Sequence, residues 1–395
     1  MAPSTTARSS NPTGHPTVWT HEMGPQADWH SQNIEDVLEP ELPIIDAHHH
    51  LFMRGEPMKH WIQHHERGIP PKYFTEELSA DVNSGHKVIA TVYSESGIYP
   101  ESNEFHRIDG EEHHRCVGET EVVQGVAHLA NRALYGPCRL CAGIIATADL
   151  SAGPRAMEPV FKAHIEAAPN FRGIRYKGGR AEEIPFTSEA FIGAVRLAAS
   201  MGLVLDINGA ELFPLDFTKV LGGIVHLARA VPEATIVVNN CGGAIGPSTF
   251  DADGGKEQHQ LWQTLMQNLA TCPGIIIKIG GCTRSQCGFK FDDRRVPVSS
   301  EELCTALLPY YGFLLDQFGP ARCMFVSDFP MDKVSCSYRT LWNMFKRVAT
   351  AKGLPQVDKH QVFQGTADRV YNLKIIGDDV QELISGAGLA WFQSP

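Results

Sequence analysis

The segment Pro43–His48, with the sequence PIIDAH, is a short apolar run that leads directly into His49 and His50. It is the first of eight such runs, each nearly continuous in apolar residues rather than alternating. Continuous runs of this length are typical of strands that are covered on both faces, as in parallel sheets. The other seven are HKVIATVY (86–93), RLCAGIIAT (139–147), FRGIRYK (171–177), LVLDIN (203–208), TIVVNN (235–240), IIIKI (275–279) and RCMFVSD (322–328).

Helical patterns separate these runs along the chain. Two of them begin at good N-cap residues, Ser188 and Ser299, and Glu302 completes a capping box with the second. Eight strand–helix units in this order predict an α/β fold, a (β/α)8 TIM barrel with long loop insertions. A doubly wound sheet is the alternative, but the chain has neither a G-x-G-x-x-G after the first strand nor a P-loop. The predicted helices span residues 75–84, 119–135, 155–168, 188–201, 217–231, 256–272, 299–318 and 338–351.

The barrel is predicted to occupy residues 41–373. Residues 1–40 contain many Pro, Ser and Thr residues and are interpreted as an N-terminal extension. Residues 374–395 have apolar residues at helical spacing. We expect this C-terminal tail to pack on the barrel or on a neighbouring subunit of a homo-oligomer.

The composition limits the partners of the protein. It has 34 Lys+Arg and 45 Asp+Glu residues, a formal net charge of −11 with histidine neutral. Nucleic acid is not expected, because affinity for phosphate backbones comes from Lys and Arg, whereas a small anionic substrate responds only to the local field of a cleft. No apolar stretch of about 18 residues or apolar signal-peptide core is present, so no membrane association is expected. Ten cysteines without secretory features predict reduced thiols in the cytoplasm.

Polar residues follow the apolar part of every predicted strand. In (β/α)8 barrels the carboxyl ends of the strands face the mouth where the chemistry occurs, so we expect these residues to converge there. In chain order they are His48/His50, Glu95, Asp149, Arg175/Lys177, Asp206/Asn208, Asn239/Asn240, Lys278 and Asp328.

The first strand end carries the clearest signal. The alternation of a strand places His48 and His50 on one face and His49 on the other. Two imidazoles in register can share a divalent cation, with Asp46 or a backbone carbonyl orienting a ring nitrogen. A structural role is the usual explanation for a lone buried histidine, but two in register favour a functional site. We therefore predict that His48 and His50 are functional and that His49 is structural.

Asp328, after the eighth strand, is the candidate catalytic carboxylate. A carboxylate at this place can hold a metal, act as a general base towards water and later protonate a leaving group. A turn or N-cap role is the alternative, because Pro330 follows closely. For Asp328 alone the two interpretations are balanced, and the presence of His48 and His50 favours the site.

Other strand ends supply candidates for substrate binding. Arg175 and Lys177 share one face of the fourth strand, and an arginine can bind a carboxylate with two parallel hydrogen bonds. Structural pairing of Arg175 with Glu95 or Asp206 is an equally good explanation. The long loop 280–295 mixes cations with aromatic residues, as substrate walls do, although a solvated loop explains it equally well. The candidates for substrate binding are Arg175, Lys177, Glu95, Asn240, Lys278 and Arg284.

Between Pro43 and Leu373 the chain resembles the amidohydrolase-related family, which includes 2-pyrone-4,6-dicarboxylate hydrolases, related lactonases and aromatic-acid decarboxylases. The resemblance implies a (β/α)8 fold, a His-x-His motif at His48 and His50, and a catalytic or metal-binding carboxylate at Asp328. It rests on the stretches PIIDAHHHLF, GETEVVQGVAHLANRALYG, CAGIIATADL, FRGIRY, LARAVPEATIVVNNCGG, FGPARCMFVSDFP and QGTADRVYNL.

The chain departs from the family pattern at two strand ends. Similar proteins usually carry a histidine at the sixth strand end, where this chain has Asn240, and an amide oxygen is a weaker zinc ligand than imidazole. Relatives also often carry a histidine after the fifth strand, where Glu211 stands nearby. The resemblance thus implies His48, His50, Asp328 and Glu211 as candidate ligands of zinc or manganese. It leaves a metal-free enzyme open, since some lactonases of this group are thought to need no metal.

The favoured hypothesis is a hydrolase that opens a small cyclic ester (a lactone), or a similar acyl bond, in a carboxylated or oxygenated ring compound. Asp328 would activate water, and His48 and His50 would polarise the carbonyl directly or through a metal. One alternative is non-oxidative decarboxylation of an aromatic acid, although relatives with that activity often carry Glu-x-His at the first strand end. The other is a barrel that has lost hydrolysis and serves as a cyclase, an isomerase or a non-catalytic binder, suggested by Asn240.

Overall fold

Eight parallel strands form one sheet that curves into a nearly closed barrel in the computed structural model of the chain. The structure describes residues 27–53, 69–96, 104–132, 134–176, 185–208, 216–250 and 255–377. Strands pair in chain order, and a parallel bridge between His49 and Phe329 joins the last strand to the first. The predicted (β/α)8 barrel is therefore confirmed. The strands are β1 Ile44–His49, β2 Val88–Ser94, β3 Arg139–Thr147, β4 Phe171–Tyr176, β5 Val204–Ile207, β6 Ile236–Val238, β7 Ile275–Ile279 and β8 Cys323–Phe325.

Helices follow the strands and cover the outside of the barrel. The predicted capping box is present: the Ser299 hydroxyl accepts from the Glu302 amide at 3.2 Å, and the Glu302 carboxylate accepts from the Ser299 amide at 3.0 Å. Ser188 caps its helix in the same way, through the amide of Phe191. The main helices are α1 Thr75–Val82, α2 Val117–Ala130, α3 Pro154–Ala167, α4 Glu189–Ser200, α5 Phe217–Ala230, α6 Gly255–Ala270, α7 Ser300–Phe318 and α8 Tyr338–Ala351.

Several shorter elements complete the described chain. A two-stranded antiparallel ladder, Phe52–Met53 with Lys72–Tyr73, follows the end of β1. The remaining short α-helices are Ala27–His30, Pro247–Phe250, Gln356–His360 and Thr366–Val370, and Gln361–Gly365 is a π-helical turn. Short 3₁₀ turns lie at Glu112–His114, Leu150–Ala152, Pro185–Thr187, Asn240–Gly242, Ser285–Cys287, Phe291–Asp293, Pro320–Arg322 and Asp332–Val334.

Two apolar clusters account for the core. The larger one lies between the sheet and the helices. The smaller one takes side chains from seven of the eight strands, together with Ala367, Tyr371 and Leu373 from the end of the predicted barrel segment. Because each strand is covered on both faces, its sequence is continuously apolar. Residues 367–373 therefore help to fill the barrel. The carboxyl ends of the strands remain available for polar groups.

The outer parts of the chain are described only in part. Residues from 29 onward in the predicted extension pack on the barrel, with Trp29 buried. The tail beyond residue 377 lies outside the described residues, so its packing and the domain boundaries stay predictions. All ten cysteines are buried and unpaired. Among the described residues, no helix combines the length and the apolar character needed to cross a membrane.

Candidate active site

The end of β1 directs His48 and His50 to one point. The register between β1 and β2 shifts between Asp46 and His49, and the two imidazole rings meet edge to face with their centroids 4.9 Å apart. Their Nε2 atoms are 3.3 Å apart. The His49 ring instead contacts the Thr91 hydroxyl at 2.9 Å, away from this pair. Thus the strand alternation separates His49 from the other two histidines, as the sequence indicated.

The turn after β8 brings Asp328 to the same point. The backbone of Asp328 is left-handed, with φ of 53°, and its amide donates to the carbonyl of His48 at 2.9 Å. One carboxylate oxygen, Oδ1, lies 3.4 Å from the Nε2 atoms of both His48 and His50. The other oxygen, Oδ2, lies 3.4 Å from the amide nitrogen of Asn240 and 3.6 Å from Nε of Arg284.

The charges around Asp328 keep it ionised. Burial by itself would raise the pKa of this carboxyl group, but the positive charge of the Arg284 guanidinium holds the pKa below its ordinary value. For His48, burial and then the Lys278 ammonium lower the pKa well below the usual value. At neutral pH the site therefore contains a carboxylate beside a neutral His48 imidazole. We call His48, His50, Asp328 and Arg284 the mouth cluster.

Hydrogen-bond partners assign the tautomers of the two imidazoles. His50 Nδ1 donates to the carbonyl of Ser94 at 2.9 Å, which leaves a lone pair on Nε2. His48 Nδ1 lies 3.3 Å from Nζ of Lys278 and accepts from that ammonium, so its proton is on Nε2. The His48 Nε2–H can then donate towards His50 and Asp328. Lysine and a backbone carbonyl thus orient these rings, and Asp46 does not.

Three atoms of the mouth cluster are spaced as metal ligands. His48, His50 and Asp328 form a group that could hold a metal ion. Their donor atoms are separated by 3.3–3.4 Å, and tetrahedral zinc with Zn–N bonds of about 2.05 Å separates its ligands by about 3.35 Å. His50 also has the backbone partner that metal-bound histidines usually have. His48 would have to carry its proton on Nδ1, facing the Lys278 ammonium, which opposes binding.

A second set of strand-end residues is satisfied internally. Lys278 is buried and paired with Asp206 at 2.6 Å, and the Tyr371 hydroxyl donates to both oxygens of Asp206 at 3.0 and 3.1 Å. Arg175 donates to the carbonyl of Glu95 at 2.8 Å and to its carboxylate at 3.3 Å. Asn239 bridges the two pairs with its amide oriented to donate to Asp206 and accept from Arg175, each at 3.2 Å. We call Glu95, Arg175, Asp206, Asn239 and Lys278 the paired layer.

The strand ends thus separate into two groups. His48, His50, Asp328, Asn240 and Arg284 come together, and Lys278 reaches them through His48. For Arg175 the structural alternative is the one observed, since its guanidinium is bonded to Glu95. Asp149 is exposed and caps a turn through the amide of Ser151. Lys177 and Glu211 lie outside the described residues, so their roles stay predictions.

Several residues support the site in ways that the sequence did not predict. Asp46 was considered only as a partner of a histidine ring, and Ser327, Tyr338 and Asp332 were not singled out. Asp46 accepts from the Ser327 amide at 2.9 Å, the Ser327 hydroxyl at 2.6 Å and the Tyr338 hydroxyl at 3.0 Å. This network ties β1 to the turn that bears Asp328. Asp332, which is buried, donates its amide to the carbonyl of Asp328 at 3.2 Å. Burial and the nearby Asp328 charge raise the pKa of Asp332 well above its ordinary value.

A barrel of this kind, with His-x-His on the first strand and a carboxylate after the last, brings together groups that can bind a metal, polarise a carbonyl or activate water. The family model for amidohydrolases matches residues 45–373, and the chain belongs to that family.

Two relatives extend the comparison. The chain is 25% identical over 355 residues to the uncharacterized protein y4mH of Sinorhizobium fredii, and this match covers 84% of the chain and 99% of the relative. It is 28% identical over 209 residues to the L-fucono-1,5-lactonase of Burkholderia multivorans, covering 53% of the chain and 67% of that enzyme.

Solved structures share the fold. An amidohydrolase from Burkholderia multivorans with bound zinc has a TM-score of 0.59 at 18% identity, covering 83% of this chain and 99% of its own. The 5-carboxyvanillate decarboxylase of Novosphingobium aromaticivorans, in complex with manganese and a nitrobenzoic acid ligand, has a TM-score of 0.55 at 12% identity, covering 86% and 99%. Hydrolytic and decarboxylating enzymes therefore both use this barrel.

Proposed function

We propose that this enzyme hydrolyses a small lactone, or a similar acyl bond, in an oxygenated ring compound that carries an anionic group. The observation that carries the proposal is the position of Asp328, which directs one carboxylate oxygen to two imidazoles at 3.4 Å and the other to Arg284. A base, a hydrogen-bond donor and a cation thus surround one point. The similarity to a sugar lactonase supports the same class of reaction.

Asp328 is the general base in this proposal. Its carboxylate takes a proton from water while the water oxygen attacks the lactone carbonyl, which becomes a tetrahedral intermediate. When the ring C–O bond breaks, the protonated Asp328 returns the proton to the departing ring oxygen. The carboxylate is regenerated, and the product is a hydroxy acid.

His48 is the donor to the carbonyl oxygen. Since Lys278 occupies Nδ1, the Nε2–H of His48 faces the site and can stabilise the negative charge that develops on that oxygen. His50 has its Nε2 lone pair towards the site and donates only when protonated. A divalent metal, zinc or manganese, would be held by His48, His50 and Asp328 only with the His48 proton moved to Nδ1, and it would then supply a Lewis acid for the same carbonyl.

Arg284 is the proposed anchor of the anionic group. It is nearly buried and reaches Asp328 from the loop after β7. A substrate carboxylate that binds this guanidinium would compete with Asp328 for the positive charge. The pairing that holds the Asp328 pKa low would weaken, and Asp328 would become a stronger base once substrate is bound. Lys177 remains a second proposed contact for the anion.

The decisive experiment measures acid release from a panel of lactones, beginning with L-fucono-1,5-lactone and including carboxylated aromatic lactones. The protein is assayed after exhaustive chelation, with measured metal content, and after addition of Zn²⁺ or Mn²⁺. Hydrolysis that depends on Asp328 supports the proposal. Carbon dioxide release from hydroxybenzoates, with every lactone left intact, would identify a decarboxylase instead. Ring rearrangement without acid release would identify a cyclase or isomerase.

We also propose a cytoplasmic location, a small-molecule substrate, and no nucleic-acid or membrane partner, with self-association into a homo-oligomer left open. The ten unpaired cysteines support the first, since exposure to an oxidising compartment favours disulfides. A thiol titration on protein purified without reductant tests it, with ten free thiols expected after denaturation.

A further inference from the structure

The segment Trp29–Glu39, which we call the N-terminal strap, lies before Ile45, where the match to the family model begins. It is therefore an addition to the family barrel in this chain. Its contacts divide into two parts. The later residues, 35–39, are hydrogen-bonded to helices. The earlier residues, 29–33, contact the two loops that carry Arg284 and Asp328.

The later part is firmly anchored. The Glu35 carboxylate accepts from the Ser300 amide at the start of α7 at 2.6 Å, and from the side chain of Asn343 on α8 at 3.1 Å. The buried ammonium of Lys346 on α8 donates to the carbonyls of Leu38 at 2.6 Å and Glu39 at 2.9 Å. Hydrogen bonds to charged groups are the stronger kind. This half of the strap is thus fixed to the outside of the barrel.

The earlier part reaches the loop after β7. The indole of Trp29, which is buried, donates to the carbonyl of Arg295 at 3.1 Å. The side-chain amide of Asn33 donates to the carbonyls of Pro297 at 3.3 Å and Val298 at 3.1 Å. These backbone groups belong to the same loop that bears Arg284 at its other end.

The strap also meets the turn that follows Asp328. The His30 imidazole is buried beside the backbone of Lys333. The two loops are tied to each other beside Arg284, because the Ser335 hydroxyl donates to the carbonyl of Thr283 at 2.6 Å. The strap thus contacts the loop after β7 and the turn after β8 at points away from the mouth cluster. Beside the mouth cluster, the bond between Ser335 and Thr283 joins these two segments to each other.

We propose that the N-terminal strap is a positioning element of the active site, and that Trp29 and Asn33 hold the 280–299 loop so that Arg284 stays beside Asp328. This loop contains only two short 3₁₀ turns, Ser285–Cys287 and Phe291–Asp293. A long loop with so little regular structure has many conformations of similar energy unless other contacts select one. The strap supplies those contacts from a rigid base. The role assigned to Arg284 rests on the proposed function, whereas the ordering of the loop does not.

Hydrogen exchange of the backbone amides tests the ordering directly. We compare the full-length protein with Trp29→Ala and Asn33→Ala, using Lys359→Met as the matched control. Lys359 pairs with Glu39 at 2.9 Å, so this control weakens the strap at its helix-bound end only. We expect exchange about tenfold faster or more in peptides from 285–298 and 329–335 in both loop-side variants. Exchange in 139–147 should stay unchanged, and Lys359→Met should match the wild type.

Unchanged exchange in both loops would overturn the proposal. Faster exchange throughout the barrel in Trp29→Ala would also overturn it, because the strap would then be a general stabilising element. Trp29→Phe keeps an aromatic ring at this position but removes the indole N–H that donates to Arg295. It therefore gives the same test in a variant that disturbs the packing less than Trp29→Ala.

Kinetics connect the ordering to Arg284. With a lactone that the wild type hydrolyses, Trp29→Ala should raise KM about tenfold with a smaller change in kcat, as expected when a binding group is misplaced. In the double variant with Arg284→Ala, the Trp29 substitution should add little. Full additivity of the two effects would overturn the link to Arg284. If no lactone is hydrolysed, the proposed function fails, but the exchange experiment still decides the role of the strap.

Discussion

The mouth cluster and the paired layer contain similar residues at neighbouring strand ends, yet they are connected differently. In the paired layer each charge has an opposite charge in contact, Lys278 with Asp206 at 2.6 Å and Arg175 with Glu95 at 3.3 Å. In the mouth cluster Asp328 lies at 3.4–3.6 Å from three potential donors and is tightly bonded to none of them.

This difference separates structural from reactive groups. A buried charge with close partners is stable but chemically occupied, because the partners must be given up before it can react. A carboxylate held at longer distances by several positive or donating groups stays ionised and can still exchange a partner for water or substrate. The contrast predicts that substitutions in the mouth cluster affect activity, whereas substitutions in the paired layer affect stability. Lys278 should affect both, because it also sets the tautomer of His48.

The largest expected effect is that of Asp328→Asn. Loss of the general base should lower kcat by about 10²- to 10⁴-fold, while the free energy of unfolding changes little. Acid release from a lactone and urea unfolding measure the two quantities. Asp149→Asn is the control, because Asp149 is an exposed carboxylate at another strand end. Full activity in Asp328→Asn would break the comparison.

Lys278→Met tests the paired layer. It leaves the buried Asp206 charge with only hydrogen bonds, so the free energy of unfolding should fall by about 3–5 kcal/mol. Lys87→Met is the control, since Lys87 pairs with Glu41 at the surface and such pairs contribute below about 1 kcal/mol. Equal stability of Lys278→Met and the wild type in urea would mean that this pair is not structural.

The same contrast applies to a histidine outside the mouth cluster. The ring of His164, on α3, is bonded to the Thr120 hydroxyl at 2.8 Å and to the Cys116 sulfur at 3.5 Å, as the charges of the paired layer are bonded to their partners. Burial lowers its pKa from 6.5 to about 3. On acidification the unfolded chain therefore binds a proton at His164 before the folded protein does. The contribution of His164 to the free energy of unfolding is complete above about pH 6.5 and is lost as the pH falls towards 3.

For His164 alone the loss at pH 5 is about 2 kcal/mol. Urea unfolding at pH 7 and pH 5 measures how far the free energy of unfolding drops between these two pH values. In His164→Gln this drop should be smaller than in the wild type by that amount. An identical difference in the variant and the wild type would show that His164 does not titrate in this way.

The smallest effect is expected for Arg284→Ala. Loss of the anion anchor should raise KM for a carboxylated lactone about tenfold, about 1.4 kcal/mol, and leave KM for an uncharged lactone nearly unchanged. Arg294→Ala is the control, since Arg294 pairs with Glu302 at the surface of the same loop. An equal rise in KM for both substrates would sharpen the comparison by giving Arg284 a role in the chemistry rather than in anion binding.

The strand and helix order was accessible from the sequence because burial on both faces requires continuous apolar runs, and the capping box marks the start of α7. His48, His50 and Asp328 were also accessible, since they stand where a barrel directs polar groups to its mouth. The different roles of Arg175 and Arg284 could not be predicted from the sequence. Both are arginines near strand ends, and only their neighbours in space, Glu95 for one and Asp328 for the other, distinguish them.

The sequence by itself thus determined the barrel, the family and the place of His48 and His50, because these depend on local periodicity and on residues close together along the chain. The tertiary structure alone decided which charges neutralise one another, which nitrogen of His48 carries its proton, and that a segment before the barrel reaches the loops of the site. These features depend on contacts between residues as far apart as Trp29 and Arg295, 266 positions along the chain. Electrostatic pairing follows distance in space, and no periodicity of the sequence records that distance.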